Sequence, residues 1–269
     1  MNLLLLPFPY INPVPLHIWH FQVHWYGIAY AVSIIWACIY LKRLLRSYPS
    51  TIEPYVVEAL VIPLIIGIVV GGRLGYILFY ASGYFLQHPW EVFMTWQGGM
   101  SFHGGLIGVI VAIIWYARRN HLSALALTDV IAMGTPIGLF LGRIANFING
   151  EHYGRHTDVS WAMIFPHGGP LPRHPSQLYE AIGEGLIIWV LLYLVWRFKP
   201  QYRMRHGYIG GLFLLAYGYI RSAAELFRQP DGWVFDGTPF AMTLGQTLCI
   251  PMILAGLYLL SKKPQLVKN

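Results

Sequence analysis

Three arginines stand inside otherwise apolar stretches of the sequence, at positions 73, 143 and 221. A charged side chain in the apolar part of a membrane costs at least about 2.5–3.5 kcal/mol, so it usually faces a cavity or a partner. A guanidinium can bind two phosphate oxygens at once, and lipid phosphates are the abundant anions at a membrane surface. We therefore interpret Arg73, Arg143 and Arg221 as candidate ligands of a lipid headgroup. The alternative for each one is a structural side chain near a helix end that extends to the interface.

A second pattern surrounds Arg221. The spacing of Tyr217, Arg221, Glu225 and Arg228 is four, four and three residues, which places them on one face of a predicted helix. We expect Glu225 to orient Arg221, with Tyr217 and Arg228 beside the same site. A self-neutralising pair of Arg221 and Glu225 would explain the spacing without any ligand.

The segment that carries Arg143 contains small residues at every fourth position. They are Gly134, Gly138, Gly142, Asn146 and Gly150. Small residues at this spacing let helices approach closely, so the pattern predicts a tight helix contact beside Arg143. Asn146 follows Arg143 by about one turn and is a candidate hydrogen-bond partner of the headgroup.

His103 lies among four glycines, in the run from Gly98 to Gly105. Glycine permits close backbone approach, and histidine is the side chain that titrates near neutral pH. His103 is therefore a candidate general base, with a structural histidine as the alternative. His152 and His156 lie four residues apart, but no third ligand accompanies them, so we expect no metal and no other cofactor.

The composition indicates the environment of these residues. Of 269 residues, 56% are hydrophobic and 11% are charged, and the mean hydropathy is +0.52. Disorder requires low hydrophobicity and high charge, and a soluble domain is about a quarter charged. The net charge is +7, yet no basic cluster suggests a nucleic-acid partner. These figures predict an all-α membrane protein.

Seven stretches are long and apolar enough to span a bilayer, which requires about 20 residues each. They are Gln22–Leu41, Glu58–Tyr80, Gly98–Ala117, Ser123–Phe147, Leu178–Trp196, Tyr208–Phe227 and Met242–Leu260. We therefore expect one polytopic domain over residues 1–269, formed by a bundle of seven transmembrane helices. Residues 1–20 form an N-terminal interfacial segment in this prediction, and residues 148–177 form a short exterior loop region.

The positions of lysine and arginine predict the orientation. Twelve of the 18 basic residues fall after spans 1, 3, 5 and 7, whereas the loops after spans 2, 4 and 6 hold only Arg155, Arg173 and Arg228. Basic loops are cytoplasmic, so the N-terminus is expected outside and the C-terminus inside. Arg73, Arg143, Arg221, Tyr26 and His103 then share a depth near the outer headgroups.

The run from Gly142 to Gly154 resembles the signature of the bacterial phosphatidylglycerol–prolipoprotein diacylglyceryl transferases, G-R-x-[GA]-N-F-x-N-x-E-x-x-G. Further matching stretches occur in the order that the family shows. They are His24–Gly27, Gly71–Arg73, Gly98–Gly105, Arg173–Glu180 and Phe227–Asp231.

The resemblance implies a multi-pass enzyme of the bacterial inner membrane, in contact with membrane lipids. Such an enzyme moves a diacylglyceryl group from phosphatidylglycerol to the lipobox cysteine of a preprolipoprotein that still carries its signal peptide. The expected catalytic residues are His103, Arg143, Arg221, Glu225 and Tyr26. The expected substrate-binding residues are Arg143, Asn146, Glu151, Gly154, Arg73, Tyr217 and Arg228.

A thiol with a pKa near 8.5 needs a base to become a good nucleophile, and we assign that base to His103. Arg143 and Arg221 would offset the charge on the leaving phosphate. An arginine or the lipid phosphate itself remains an alternative acceptor of the thiol proton.

Two other classes of protein fit parts of the pattern. A serine protease could use Ser101 with His103, but residues two apart do not face each other on a helix. A transporter also contains buried charges, although its polar residues should run through the full depth of the membrane.

Overall fold

The computed structural model describes residues 6–19, 21–230, 232–238 and 240–262. These residues are mostly helical. They group into two compact units, the first from Met1–Tyr40 and Asp129–Asn269, and the second from Leu41–Thr128. A single domain over residues 1–269 therefore stays a prediction.

The chain forms helices of very different lengths. In chain order they are α1 (Trp25–Ser47), α2 (Tyr55–Tyr80), α3 (Ser82–Gln87), α4 (Phe102–Arg119), α5 (Ala124–Ile148), α6 (Ser176–Glu180), α7 (Ile188–Phe198), α8 (Pro200–Arg203), α9 (Tyr208–Ala224) and α10 (Leu244–Ser261). A π-helix over Ala181–Ile187 joins α6 to α7, and two 3₁₀ turns, Pro89–Phe93 and Thr95–Gln97, lie between α3 and α4. Two antiparallel hairpins complete the fold, one of β1 (Leu16–Ile18) and β2 (Phe21–Val23), the other of β3 (Trp233–Val234) and β4 (Met242–Thr243).

Five helical segments in the described part of the chain are long and apolar enough to cross a membrane. They are Trp25–Ser47, Tyr55–Phe79, Ala124–Ile148, Ser176–Phe198 and Leu244–Ser261. The other two predicted spans also coincide with helices, α4 and α9. However, α9 has only 17 residues, and α4 ends in two arginines. The prediction of a helical membrane protein is confirmed, whereas the count of seven spans and the orientation stay predictions.

The boundaries of four predicted spans are wrong, for local reasons. The first span begins at Trp25 rather than at Gln22, and the seventh begins at Leu244 rather than at Met242, because Gln22 and Met242 lie in β2 and β4. The third span begins at Phe102 rather than at Gly98, because Gly98 and Gly99 have φ values of +89° and +78°. The side chain of Ser101 then caps α4 by accepting a hydrogen bond from the Gly104 amide. The sixth span ends at Ala224 rather than at Phe227, since the chain turns at Glu225.

In the second unit, α2 and α4 pack with their backbones almost in contact. A Cβ at Gly67 would lie 2.5 Å from the Gly108 carbonyl oxygen, and one at Gly75 would lie 2.7 Å from Gly104 Cα. Gly71 also faces the Gly104 carbonyl closely. Such stripes of small residues are a common way for membrane helices to associate.

In the first unit, a buried carboxylate determines where α9 begins. Asp129 of α5 accepts hydrogen bonds from the backbone amides of Gly207, at 2.6 Å, and Gly210, at 2.7 Å. The first amides of a helix have no partner within it, so a carboxylate there satisfies them. This contact ties α9, which carries Arg221, to α5, which carries Arg143.

Candidate functional site

A network of charged side chains lies within the first unit, on three neighbouring segments of chain. Arg143 comes from α5, Glu180 and Glu184 from the segment of α6 and the π-helix, and Arg221 from α9. Glu225 and Arg228 follow in the turn after α9. The side chains of Glu180 and Glu184 are 0% exposed, and those of Arg143 and Arg221 are 18% and 11% exposed.

Glu180 contacts all three arginines. Its Oε2 lies 2.7 Å from Arg143 Nη2 and 3.4 Å from Arg221 Nη1. Its Oε1 lies 3.5 Å from Arg228 Nη1. The guanidinium groups of α5 and α9 therefore share one carboxylate oxygen.

Glu184 and Glu225 complete the pairing of these arginines. Glu184 Oε2 accepts hydrogen bonds from Nε and Nη2 of Arg143, at 3.3 and 3.2 Å. Glu225 Oε1 lies 2.5 Å from Arg221 Nη2 and 3.7 Å from Arg228 Nε. The spacing-based prediction that Glu225 orients Arg221 has a direct geometric basis.

Two glycines beside Glu184 explain how it reaches the arginines. A Cβ at Gly185 would lie 2.6 Å from Phe140 Cβ and 2.9 Å from Phe140 Cα, on α5. A Cβ at Gly183 would lie 2.7 Å from a methyl carbon of Ile220, on α9. The π-helix can therefore approach both helices closely, and π-turns of this kind are frequent at functional sites.

The formal charges of these side chains balance, since three arginines face three glutamates among the residues that the structure describes. Buried charges require such pairing, because desolvation otherwise costs several kcal/mol per ion. The self-neutralising Arg221–Glu225 pair that the sequence allowed is therefore one part of a larger network.

A second polar cluster joins the start of α1 to the end of α5. The Tyr26 hydroxyl donates to Glu151 Oε1 and accepts from Asn146 Nδ2. Asn149 Nδ2 lies 3.2 Å from the same Glu151 oxygen. Tyr26, Asn146 and Glu151 were all predicted site residues, and the structure brings them together.

The loop region of residues 148–177 supports this cluster. Gln177 Nε2 donates to the Glu151 carbonyl at 2.7 Å, and the Ser176 hydroxyl donates to the His152 carbonyl at 3.1 Å. Glu151 and His152 also line a cleft of about 280 Å³ together with Gly150, Tyr153, His167, Gln229 and Pro230. The cleft opens beside the Tyr26–Glu151 contact and could admit part of a substrate.

Gly154 has a packing role that the sequence did not reveal. A Cβ there would lie 2.5 Å from the Phe227 carbonyl oxygen and 2.8 Å from the His174 carbonyl oxygen. The Gly154 amide donates to His174, and the Arg155 amide donates to Phe227, at 2.9 and 2.8 Å. The loop therefore holds the turn after α9, where Arg228 enters the charged network.

Burial lowers the pKa of His174 below its ordinary value.

Arg73 belongs to the second unit and uses its donors there. Its guanidinium donates to the carbonyl oxygens of Glu91, at 2.5 Å, and Val92, at 2.9 Å. It also donates to Gly98 at 2.6 Å and lies 4.9 Å from the ring centre of Phe85. These contacts give Arg73 a structural role, holding the segment between α3 and α4.

His103 also belongs to the second unit, where it is exposed in the first turn of α4. Ser101, the other member of the alternative protease pair, uses its hydroxyl to cap that helix.

Tyr217 lies on α9 one turn before Arg221, with its ring centre 5.9 Å from that of Phe213.

The predicted tight contact along α5 is wrong at two of its positions. A Cβ at Gly142 would meet nothing within 4 Å, and one at Gly138 would meet only Ser33, at 3.9 Å. Spacing alone does not specify which glycine stripe is used. The close approach to α5 occurs instead at Phe140, against Gly185 of the π-helix, and a stripe of glycines packs between α2 and α4.

Glu180 and Glu184 are the residues that sequence reasoning missed. The available signal was a pair of carboxylates four residues apart in an apolar stretch, with glycines on both sides of Glu184. Ionisable residues inside a membrane span mark functional sites by default.

Comparison with known proteins relates nearly the whole chain to one family. Residues 13–262 match a family model described as prolipoprotein diacylglyceryl transferase. The chain is 50% identical over 256 residues to the phosphatidylglycerol–prolipoprotein diacylglyceryl transferase of Rhodospirillum rubrum, covering 94% of this chain and 92% of that protein. Identity to the same enzyme of Gluconobacter oxydans is 50% over 259 residues, covering 94% and 93%. For Paramagnetospirillum magneticum it is 47% over 260 residues, covering 95% of each.

Proposed function

Because the chain belongs to the prolipoprotein diacylglyceryl transferase family, we propose that it transfers a diacylglyceryl group from phosphatidylglycerol to a cysteine thiol. The acceptor is the lipobox cysteine of a preprolipoprotein, and the reaction is the first step of lipoprotein maturation. The bond between the diacylglyceryl carbon and the phosphate oxygen breaks, a carbon–sulfur bond forms, and glycerol phosphate leaves. The observation that carries this proposal in the structure is the half-buried pair of Arg143 and Arg221 around the buried Glu180.

Arg143 and Arg221 bind the phosphate of the lipid in this mechanism. Their guanidinium groups come from two helices and lie against one shared oxygen, which is the arrangement that a phosphate oxygen requires. As the bond to carbon breaks, the leaving group becomes a phosphate monoester with more negative charge. Fixed cations aimed at that charge lower the barrier, and Glu225, which Arg228 also approaches, holds Arg221 in place.

The Tyr26–Asn146–Glu151 cluster binds the polar end of the lipid headgroup. Its hydroxyl, amide and carboxylate groups match the hydroxyls of a glycerol, which both donate and accept hydrogen bonds. The adjacent cleft of about 280 Å³ gives this group a route of access.

His103 removes the proton of the acceptor thiol, since a thiolate is the effective nucleophile. Its exposed position at the start of α4 leaves it accessible to a substrate. An arginine or the lipid phosphate as proton acceptor is the alternative that a His103 variant tests.

The topology that fits this chemistry has seven spans in the bacterial inner membrane, with the N-terminus outside and the C-terminus in the cytoplasm. The substrates are then the lipids of the outer leaflet and the signal peptide of the preprolipoprotein. The distribution of lysine and arginine between alternate loops supports this orientation.

The direct test incubates the purified protein with phosphatidylglycerol and a lipobox peptide. Mass spectrometry should show a peptide that has gained one diacylglyceryl group, together with released glycerol phosphate. An unmodified peptide under conditions where the protein stays folded would contradict the proposed function.

Two variants test the assigned roles. Arg143→Ala should lower turnover by about 100-fold or more, because it removes a donor to the leaving phosphate. His103→Gln should lower it by a similar factor if His103 is the base. Arg119→Ala and His88→Gln are matched controls, since both side chains are exposed and lie outside the network. Normal turnover in either test variant would show that the substituted residue does not have the assigned role.

A further inference from the structure

Glu180 occupies the place between Arg143 and Arg221 that an anionic ligand would need. Its Oε2 is the atom that both guanidinium groups contact, at 2.7 and 3.4 Å. The Glu180 side chain is 0% exposed, so it makes these contacts away from bulk water. A phosphate that is to bind both arginines must therefore displace this oxygen.

The pairing within the network leads to the same requirement. Glu180 and Glu184 already contact the guanidinium groups of both Arg143 and Arg221. The charge of a phosphodiester is costly in a poorly solvated site unless it takes over such contacts. One carboxylate must therefore give up its contacts with Arg143 and Arg221 for the lipid to bind.

Glu180 is better placed to do this than the other two acids. Its second oxygen, Oε1, lies 3.5 Å from Arg228 Nη1, so it keeps a cationic partner after leaving Arg143 and Arg221. Glu225 lies against the first turn of α10, where a Cβ at Gly245 would be 2.5 Å from its Oε1. Glu184 is held between the close contacts of Gly183 and Gly185 with α9 and α5.

Resting on the function proposed above, we propose that Glu180 is an internal competitor of the lipid phosphate. Without lipid it neutralises Arg143 and Arg221, and with lipid bound it pairs with Arg228 alone. When glycerol phosphate has formed, Glu180 returns to the two arginines and promotes release of the product. Glu180 is thus a positioning residue that sets the affinity of the site for phosphate groups.

Replacing Glu180 by glutamine tests this proposal, because the amide keeps the shape of the side chain and removes its charge. Inhibition by added glycerol phosphate should become stronger by on the order of tenfold, the scale of one charge-assisted hydrogen bond. The KM for phosphatidylglycerol should fall by a comparable factor, and kcat should fall because product release is slower. Loss of structure alone would weaken binding and could not produce tighter inhibition.

Glu180→Asp provides a second variant that keeps the network neutral. The aspartate side chain is shorter by one carbon–carbon bond, so its carboxylate should compete less strongly for Arg143. Inhibition by glycerol phosphate should then be intermediate between that of the wild-type protein and that of Glu180→Gln. Glu53→Gln is the matched control, because Glu53 is exposed and lies outside the network. Size-exclusion profiles and thermal unfolding should establish that each variant is folded.

The outcomes separate this proposal from the function itself. If the wild-type protein transfers no diacylglyceryl group, the proposed function fails. If the wild-type protein is active, but folded Glu180→Gln and Glu180→Asp show unchanged or weaker inhibition by glycerol phosphate, the competitor role of Glu180 is wrong. Stronger inhibition in Glu180→Gln with a lower KM supports it.

Discussion

Gly245 lies in the first turn of α10, where the absence of a side chain leaves room for the Glu225 carboxylate. Replacing Gly245 by alanine adds a single methyl group at this contact. The new Cβ would lie 2.5 Å from Glu225 Oε1 and 2.6 Å from its Cδ. Both atoms belong to the glutamate side chain, so the substitution moves Glu225 rather than the backbone.

The size of the effect follows from these distances. Ordinary contact begins at 3.4 Å, so the carboxylate oxygen must withdraw by about 0.9 Å. The same oxygen lies 2.5 Å from Arg221 Nη2. A misplacement of about 1 Å in a catalytic group costs about 100-fold, which corresponds to about 2.7 kcal/mol in the barrier. We expect Gly245→Ala to lower kcat/KM by about this factor.

The measurement is diacylglyceryl transfer to a lipobox peptide by purified, folded protein. Alanine is favoured over glycine within a helix by up to about 1 kcal/mol, so α10 itself should not be weakened. Gly138→Ala is the matched control, because its Cβ would meet only Ser33, at 3.9 Å. The control should retain wild-type activity and stability.

A double-mutant cycle identifies the contact responsible. In a Glu225→Ala background the methyl group of Gly245→Ala has no carboxylate to displace, so it should cost almost nothing further. Two results would refute the reasoning. One is activity of Gly245→Ala within threefold of wild type, and the other is an equal loss in both backgrounds.

Two further predictions concern the loop region of residues 148–177. Gly154→Ala should abolish most transfer activity and lower the melting temperature, because backbone carbonyl oxygens 2.5 and 2.8 Å from the new Cβ cannot move aside easily. Gly232→Ala is the control, since its Cβ would meet nothing within 4 Å. Equal melting temperatures in the two variants would contradict the prediction. Burial lowers the pKa of His174, so the unfolded chain takes up a proton first as the pH falls through about 6.5. The loop should therefore have its full stability above that pH and lose stability below it, until the folded protein also takes up the proton. Hydrogen exchange of the Gly154 amide measures this stability as a function of pH. His174→Gln should flatten this dependence, and an unchanged pH profile in that variant would exclude His174 as its source.

Much of the fold was predictable from local patterns. Apolar runs located a helix at each of the seven predicted spans, since hydrophobicity over about 20 residues is readable along the chain. Helix boundaries were less predictable where short-range backbone geometry decides them, as at Ser101 and Gly98. The π-helix over Ala181–Ile187 has no sequence pattern that periodicity would detect.

The candidate site was predictable in part. Arg221 and Glu225 are four residues apart on one helix, so their contact follows from helical spacing alone. Arg143 and Glu184 are 41 residues apart, and their contact depends on which helices are neighbours. Arg73 has the same signature as Arg143 in the sequence, yet it binds backbone carbonyl groups of its own unit.

The sequence by itself determined that the chain is a helical membrane protein, which family it belongs to, and which arginines are costly to bury. These properties depend on composition, motifs and neighbouring positions along one helix. The tertiary structure alone decided that Glu180 joins three arginines and that Gly245 makes room for Glu225. Such contacts join segments distant in the chain, and only the packing of helices against each other brings their charges within a few ångströms.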